Sequence, residues 1–215
     1  MSKKILALLL AASMMGAALV SCGGNNDNGE DTTVEDTTVN DTTVEDTTDA
    51  PAAEVNVTVL ADAVKAAFGD LYNPESEMGM PLMEIPAETL ESTYGVKAEW
   101  VDEYAAGMPM MMTNVDTFII VKPTEGNEEN VLTALNSYYD YLVNDSFQYP
   151  KDIEKVRAAQ VFEKDDYVFF IMLGMLSDEA LYAEGTEEEI STIQYNEAMA
   201  NNQKAIDAIN ALLGE

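Results

Sequence analysis

A five-residue unit recurs near the front of this chain and decides where a fold can begin. It reads Asp31-Thr32-Thr33-Val34-Glu35, Asp36-Thr37-Thr38-Val39-Asn40 and Asp41-Thr42-Thr43-Val44-Glu45, closing on a truncated Asp46-Thr47-Thr48-Asp49. One valine in every five residues offers too little apolar surface to offset the entropy of ordering the chain. A period of five also matches neither a helix face nor a strand face. Residues 22–54 are therefore expected to form a disordered acidic tether. Residues 23–54 hold ten carboxylates and no basic residue, so self-repulsion extends them. That length reaches at most about 105–115 Å, and averages roughly 30 Å as a random coil. A calcium-binding tract is the weaker reading, because no glycine-turn loop gathers the carboxylates.

Ahead of the tether, Lys3 and Lys4 precede an apolar run from Ile5 to Val20. The run falls short of the roughly 20 apolar residues of a membrane span, and it suits the apolar core of a signal peptide over residues 1–21. Leu19-Val20-Ser21-Cys22 then resembles the bacterial lipobox, an aliphatic residue and a small pair before an obligatory cysteine. The resemblance implies cleavage just before Cys22 and diacylation of its thiol. Cys22 is the only cysteine, so no intrachain disulfide can form. Two acyl chains hold a protein at a bilayer far longer than one. The expectation is an extracytoplasmic, membrane-anchored lipoprotein of the cell envelope.

Charge excludes whole classes of partner. With Lys3 and Lys4 removed, eight basic residues stand against 40 acidic ones, a net charge near −32. Nucleic acid is ruled out as a partner, since affinity for phosphates comes from Lys and Arg displacing counterions. Direct binding of anionic headgroups needs basic clusters and is disfavoured too. Contact with the membrane is expected through the lipid on Cys22.

From Val55 the pattern becomes that of a packed domain, residues 55–215, long enough for one core. Leu60, Ala63, Val64, Ala67 and Phe68 make a helical stripe that Gly69 stops. Pro86 and Gly95 bracket a short helix. Val96, Ala98, Trp100 and Tyr104 alternate with polar residues as a half-buried strand would, and only Asp102 breaks the rule. Thr117 to Val121, closed by Pro123, reads as a central strand. Asn127 with Glu128 and Glu129 starts a helix whose apolar face is Val131, Leu135, Tyr138, Tyr139 and Leu142. Ala159–Phe162 and Tyr167–Leu173 flank a hairpin turn at Glu163-Lys164-Asp165-Asp166. Thr186 and Glu189 fit a capping box ahead of a last helix with Ile190, Met199, Ile206, Ile209 and Leu213. The class is α+β: a small, mostly antiparallel sheet of about four strands with helices on one face.

Catalytic chemistry finds little support. The chain has no histidine, which removes Ser-His-Asp and Cys-His arrangements and the usual zinc sites. Lipidation would consume the one thiol, and no glycine-rich phosphate loop is present. Asp102-Glu103, Asp165-Asp166 and Glu187-Glu188-Glu189 read as a solvated face, a hairpin turn and a helix N-terminus. No catalytic residue, metal site or cofactor is expected. A carboxylate-only hydrolase is the remaining enzymatic alternative; it needs two carboxyls about 5–9 Å apart across a cleft.

Methionine is the unusual feature. Met78, Met80 and Met83 form one group, and Met108, Met110, Met111 and Met112 another, each containing a Gly-Met-Pro triplet. Thioethers are soft copper(I) ligands. They are more often fillers of irregular cores or adaptable binding surfaces. Trp100, Met108, Met110, Met111 and Met112 are the candidate partner or ligand surface.

The stretch from Tyr94 to Lys122, with Met108-Pro109-Met110-Met111-Met112-Thr113-Asn114-Val115-Asp116 turning into Thr117-Phe118-Ile119-Ile120-Val121-Lys122, resembles a domain of unknown function in exported lipoproteins of Gram-positive anaerobes. The helix with Tyr138-Tyr139 and the strand Asp166-Tyr167-Val168-Phe169-Phe170-Ile171 fit the same pattern, over about residues 58–182. The resemblance transfers no activity and no site residue. It implies that the methionine run enters a strand, and its association with envelope acyl-transfer machinery implies an accessory role. The leading expectation is a surface-tethered, non-enzymatic interaction or accessory module with an envelope protein partner. A small-solute-binding or sensing domain is the alternative.

Overall fold

The computed structural model describes residues 55–111 and 113–214. The expected leader 1–21, the expected lipidation site Cys22 and the expected tether 22–54, with Met112 and Glu215, lie outside the described residues.

The helices begin and end where local chemistry directs. α1 (Val57–Ala66) starts at Asn56, whose side-chain oxygen accepts from the amides of Thr58 and Val59 at 3.0 Å, satisfying two donors that have no partner inside the helix. The chain then reverses through Gly69, at φ +58°. α2 (Ala87–Tyr94) runs from Pro86 to a left-handed Gly95. α3 (Glu128–Asn144) carries Glu128 and Glu129 in its first turn. A short α4 (Ile153–Arg157) and a one-turn α5 (Asp178–Leu181) precede α6 (Glu187–Leu213). The Thr186/Glu189 capping box closes the start of α6, as its sequence signature predicts.

Five antiparallel strands make one sheet: β1 (Leu82–Glu84), β2 (Val101–Pro109), β3 (Thr117–Pro123), β4 (Gln160–Lys164) and β5 (Tyr167–Met172), ordered β1-β2-β3-β5-β4. β3 is central, pairing Thr117 with Met172 and Val121 with Val168. The β4–β5 hairpin turns through Asp165, at φ +49°. At Gly107, an added Cβ would stand 2.6 Å from the Phe118 ring, so only glycine fits.

Alternate residues of a strand point to opposite faces, and both faces here are apolar. Phe118, Ile120, Phe169 and Ile171 pack with α1 and the C-terminal half of α6. Ile119, Val121, Val168 and Phe170 pack with α2, α3 and α4. The α+β class and the antiparallel sheet are as expected. The sheet has five strands, and helices cover both of its faces where one face was expected. The uninterrupted apolar run of β3 and β5 is the physical reason, because neither side of it can meet water.

The second difference concerns residues 96–104. Ala98–Trp100 form a 3-10 turn, and the strand starts only at Val101. Asp102, which broke the alternation, is the extra residue where the pairing register slips between Val101 and Glu103, a β-bulge.

Candidate functional site: a methionine-walled cavity and an aromatic cleft

The connection from β2 to β3 carries the methionine run, and a buried charge anchors its far end. Asp116 is fully buried, at 0% exposure. Its Oδ1 accepts from the Lys155 ammonium. Its Oδ2 accepts from the Tyr72 hydroxyl at 3.0 Å and from Asn114 Nδ2 at 3.1 Å. Asn114 Oδ1 accepts in return from the Asp116 amide at 2.9 Å, a local turn that asparagine favours. From the far side, the Tyr72 oxygen accepts from the Gly174 amide at 2.7 Å. A carboxylate taken out of water costs several kcal/mol, which these three side-chain donors and one counter-charge offset. Burial, reinforced by the Asp116 carboxylate, pushes the Tyr72 phenol far above its ordinary pKa, so it remains a neutral donor.

Lys155 belongs to α4, and Lys151 lies four residues before it. Lys151 Nζ donates to Thr113 O at 2.6 Å and to the Asp152 carboxylate at 2.9 and 3.0 Å. Two lysines of one short segment thus hold the β2–β3 connection at Thr113 and Asp116.

The same pair borders a cavity of about 230 Å³. Met80, Met111, Met175, Leu176 and Leu181 form its apolar wall, and Asn114, Lys151 and Lys155 its polar part. Two of the methionines are far from sealed, Met111 being 58% exposed and Met175 53%. Lys151 and Leu181 also border a shallower neighbouring groove, with Ile153, Arg157 and Ile190. The two depressions therefore adjoin at Lys151 and Leu181.

A second concavity lies between α2 and α3, about 440 Å³ in volume. Tyr94, Trp100, Tyr138 and Tyr141 supply its aromatic wall. The Tyr94 and Tyr138 rings lie 4.5 Å apart, and Tyr138 meets Phe170 edge-on at 5.6 Å. Burial raises the pKa of both tyrosines. Lys97 Nζ sits 4.9 Å from the centre of the Trp100 ring, a cation–π contact that holds the indole. Asn130, Thr133 and Ser137 line it from successive turns of α3, the helix that also carries Tyr138 and Tyr141.

Residues 75–173 match the family described as a domain of unknown function, DUF4358. The DUF4358 segment covers just under half of the chain, from ahead of β1 to just past β5. It contains Trp100, Met111, Asp116, Lys151 and Lys155; Tyr72, Met175 and α6 lie beyond it. Comparison with curated proteins and with solved structures gave no match.

The surface expected from Trp100 and the methionine run is divided. Trp100 lines the aromatic cleft, and Met111 walls the cavity. Met108 pairs with Met83 across β1 and β2, and its sulfur accepts from the Tyr94 hydroxyl at 3.9 Å. Met110 is exposed and lines neither concavity. Sequence reasoning passed over Tyr72, Asp116 and Lys155, which lie 39 and 44 residues apart in their contacts. Asp165 and the Glu187–Glu189 run take the places expected of them, a hairpin turn and a helix start. Among the described residues, no helix is long and apolar enough to cross a membrane, and no group of three His, Cys, Asp or Glu residues could hold a metal ion.

Proposed function

We propose that the protein is a surface-tethered, non-enzymatic recognition module of the cell envelope, held by a lipid on Cys22 and docking an envelope protein on its methionine-walled face. One observation carries the reading: Met111 and Met175 stand half in water beside a cavity whose rim is clamped by Lys151 and Lys155. A methionine used as core filler is covered. Thioether side chains left open at a fixed rim adapt to a partner's apolar surface with little strain. The clamp matters because a rim ordered in advance avoids the entropy cost of ordering it on binding. The tether supports the same reading, since its length lets the folded part reach partners standing off the bilayer.

The test replaces both exposed methionines. Tagged full-length protein is cross-linked in its own cells and purified, as wild type and as Met111→Glu/Met175→Glu. A protein captured with wild type and missing from the variant, with thermal stability unchanged, is the expected result. Capture of the same protein by both, or of none by wild type, contradicts the proposal.

A further inference from the structure

The aromatic cleft between α2 and α3 shares no lining residue with the methionine-walled cavity, and it has a different chemistry. We propose that it is a binding site for an uncharged sugar ring, the ring's C–H face lying on Trp100 and Tyr141 and its hydroxyls meeting Asn130, Thr133 and Ser137.

Three observations converge on that ligand class. The first is the absence of charge from the lining residues, the neighbouring Lys97 ammonium being engaged on one face of the Trp100 ring. The chain carries 40 acidic and 10 basic residues, yet no described residue lining this cleft is Asp, Glu, Lys or Arg. An anion would be repelled by the protein's overall field. A cation would find ring faces but no carboxylate among the lining residues. An uncharged ligand meets neither difficulty.

The second is the pairing of flat apolar surface with hydroxyl and amide groups. Aromatic rings present broad apolar faces, and Tyr141 is 52% exposed while Trp100 is half-buried. Next to Tyr141, on the same face of α3, the polar stripe has hydrogen-bonding capacity left over. The Ser137 hydroxyl donates to Thr133 O at 2.8 Å, which leaves its oxygen free to accept. Asn130 Nδ2 donates to Asn127 Oδ1 at 2.8 Å, leaving a second N–H and the Oδ1. A molecule that both donates and accepts along one edge while showing C–H groups on its face matches this arrangement. A purely apolar ligand would bury those polar groups without partners.

The third is size and rigidity. At about 440 Å³, the cleft lies within the roughly 300–1,000 Å³ of small-molecule sites. Its floor is fixed by the Tyr94–Tyr138–Phe170 ring series and the left-handed turn at Gly95, so the rings are held in place before a ligand arrives.

Trp100 is the chain's only tryptophan, so its fluorescence reports on this cleft alone. Full-length protein is titrated with cellotetraose, maltotetraose and chitotetraose, and separately with choline chloride. A saturable change with at least one oligosaccharide and none with choline is the expected result. Tyr141→Ala, at an exposed position that leaves the fold intact, weakens binding by about tenfold, the loss of one stacking contact. Ser137→Ala weakens it further when combined. Calorimetry with Trp100→Ala checks that binding, and not only the signal, is lost. No saturation with any of the three sugars, saturation by choline, or an unchanged affinity in Tyr141→Ala overturns the assignment. Any of these outcomes leaves the docking role of the methionine-walled face standing.

Discussion

Asp116→Ala should be among the most damaging single substitutions in the folded region, and its cost can be worked from its neighbours. The change removes a carboxylate with 0% exposure that accepts from Lys155, Tyr72 and Asn114. Left behind is the Lys155 side chain, 6% exposed, whose ammonium then has no counter-charge. Breaking a buried pair from one side costs about 3–5 kcal/mol. Domain stabilities run to about 5–15 kcal/mol, so about a fifth or more of the total is at stake. For a domain of this size the melting temperature should fall by roughly 6–20 °C. Adding Lys155→Met removes the stranded charge, so the double variant should recover at least about 1 kcal/mol of the loss. Urea denaturation of wild type, both single variants and the double variant measures the cycle. A cost under about 1 kcal/mol for Asp116→Ala, with additive single effects, would refute the claim that this pair clamps the β2–β3 connection.

Other expected outcomes follow from the same geometry. Burial raises the Tyr72 pKa in the folded state, so its contribution to stability is complete below about pH 10 and declines as pH rises further, by about 1.4 kcal/mol per pH unit; denaturation curves above that pH should flatten in Tyr72→Phe. Thr186→Ala removes the capping oxygen of α6 and should cost about 1 kcal/mol. The hydrogen bond from the Thr186 amide lowers the Glu189 pKa, so the cap's advantage should be present above the ordinary glutamate range and fade as pH falls through it, as circular dichroism can follow. Mass spectrometry of the native protein should find the chain beginning at Cys22 with a diacylglycerol thioether, and an unmodified thiol or an uncleaved leader would remove the basis for tethering.

How much of this could be read from the residues depends on the range of the interactions. Signals confined to one turn were legible. Asn127 with its glutamates, Pro86 and Gly95, and the Thr186/Glu189 box each mark an end of a helix through contacts within four residues. The central β3 run was legible too, because burial on both sides demands continuous β-branched and aromatic residues. The same logic should have signalled helices on both faces. Residues 96–104 misled because a 3-10 turn and a bulge together mimic the alternation of a strand. The clamp was hidden for another reason. Asp116 looks like one of 40 acidic residues, and nothing local announces that Lys155 and Tyr72 converge on it. The methionine run was a real signal of an adaptable surface, but its members diverge as soon as the strand ends. Met108 stays in β2, and only past Pro109 is the chain free to carry Met111 to the cavity. Tyr141 was missed because it falls outside the apolar face read for this helix, and nothing local announces that its turn borders the cleft.

Position-dependent photo-cross-linking in living cells tests the central claim most directly. A photoreactive residue is placed at Met111, and in parallel at Asp166, in the β4–β5 turn at the opposite end of the sheet. The account predicts one discrete adduct with an envelope protein from position 111 and none from 166. Equal labelling from both positions, or no adduct from 111, would contradict it.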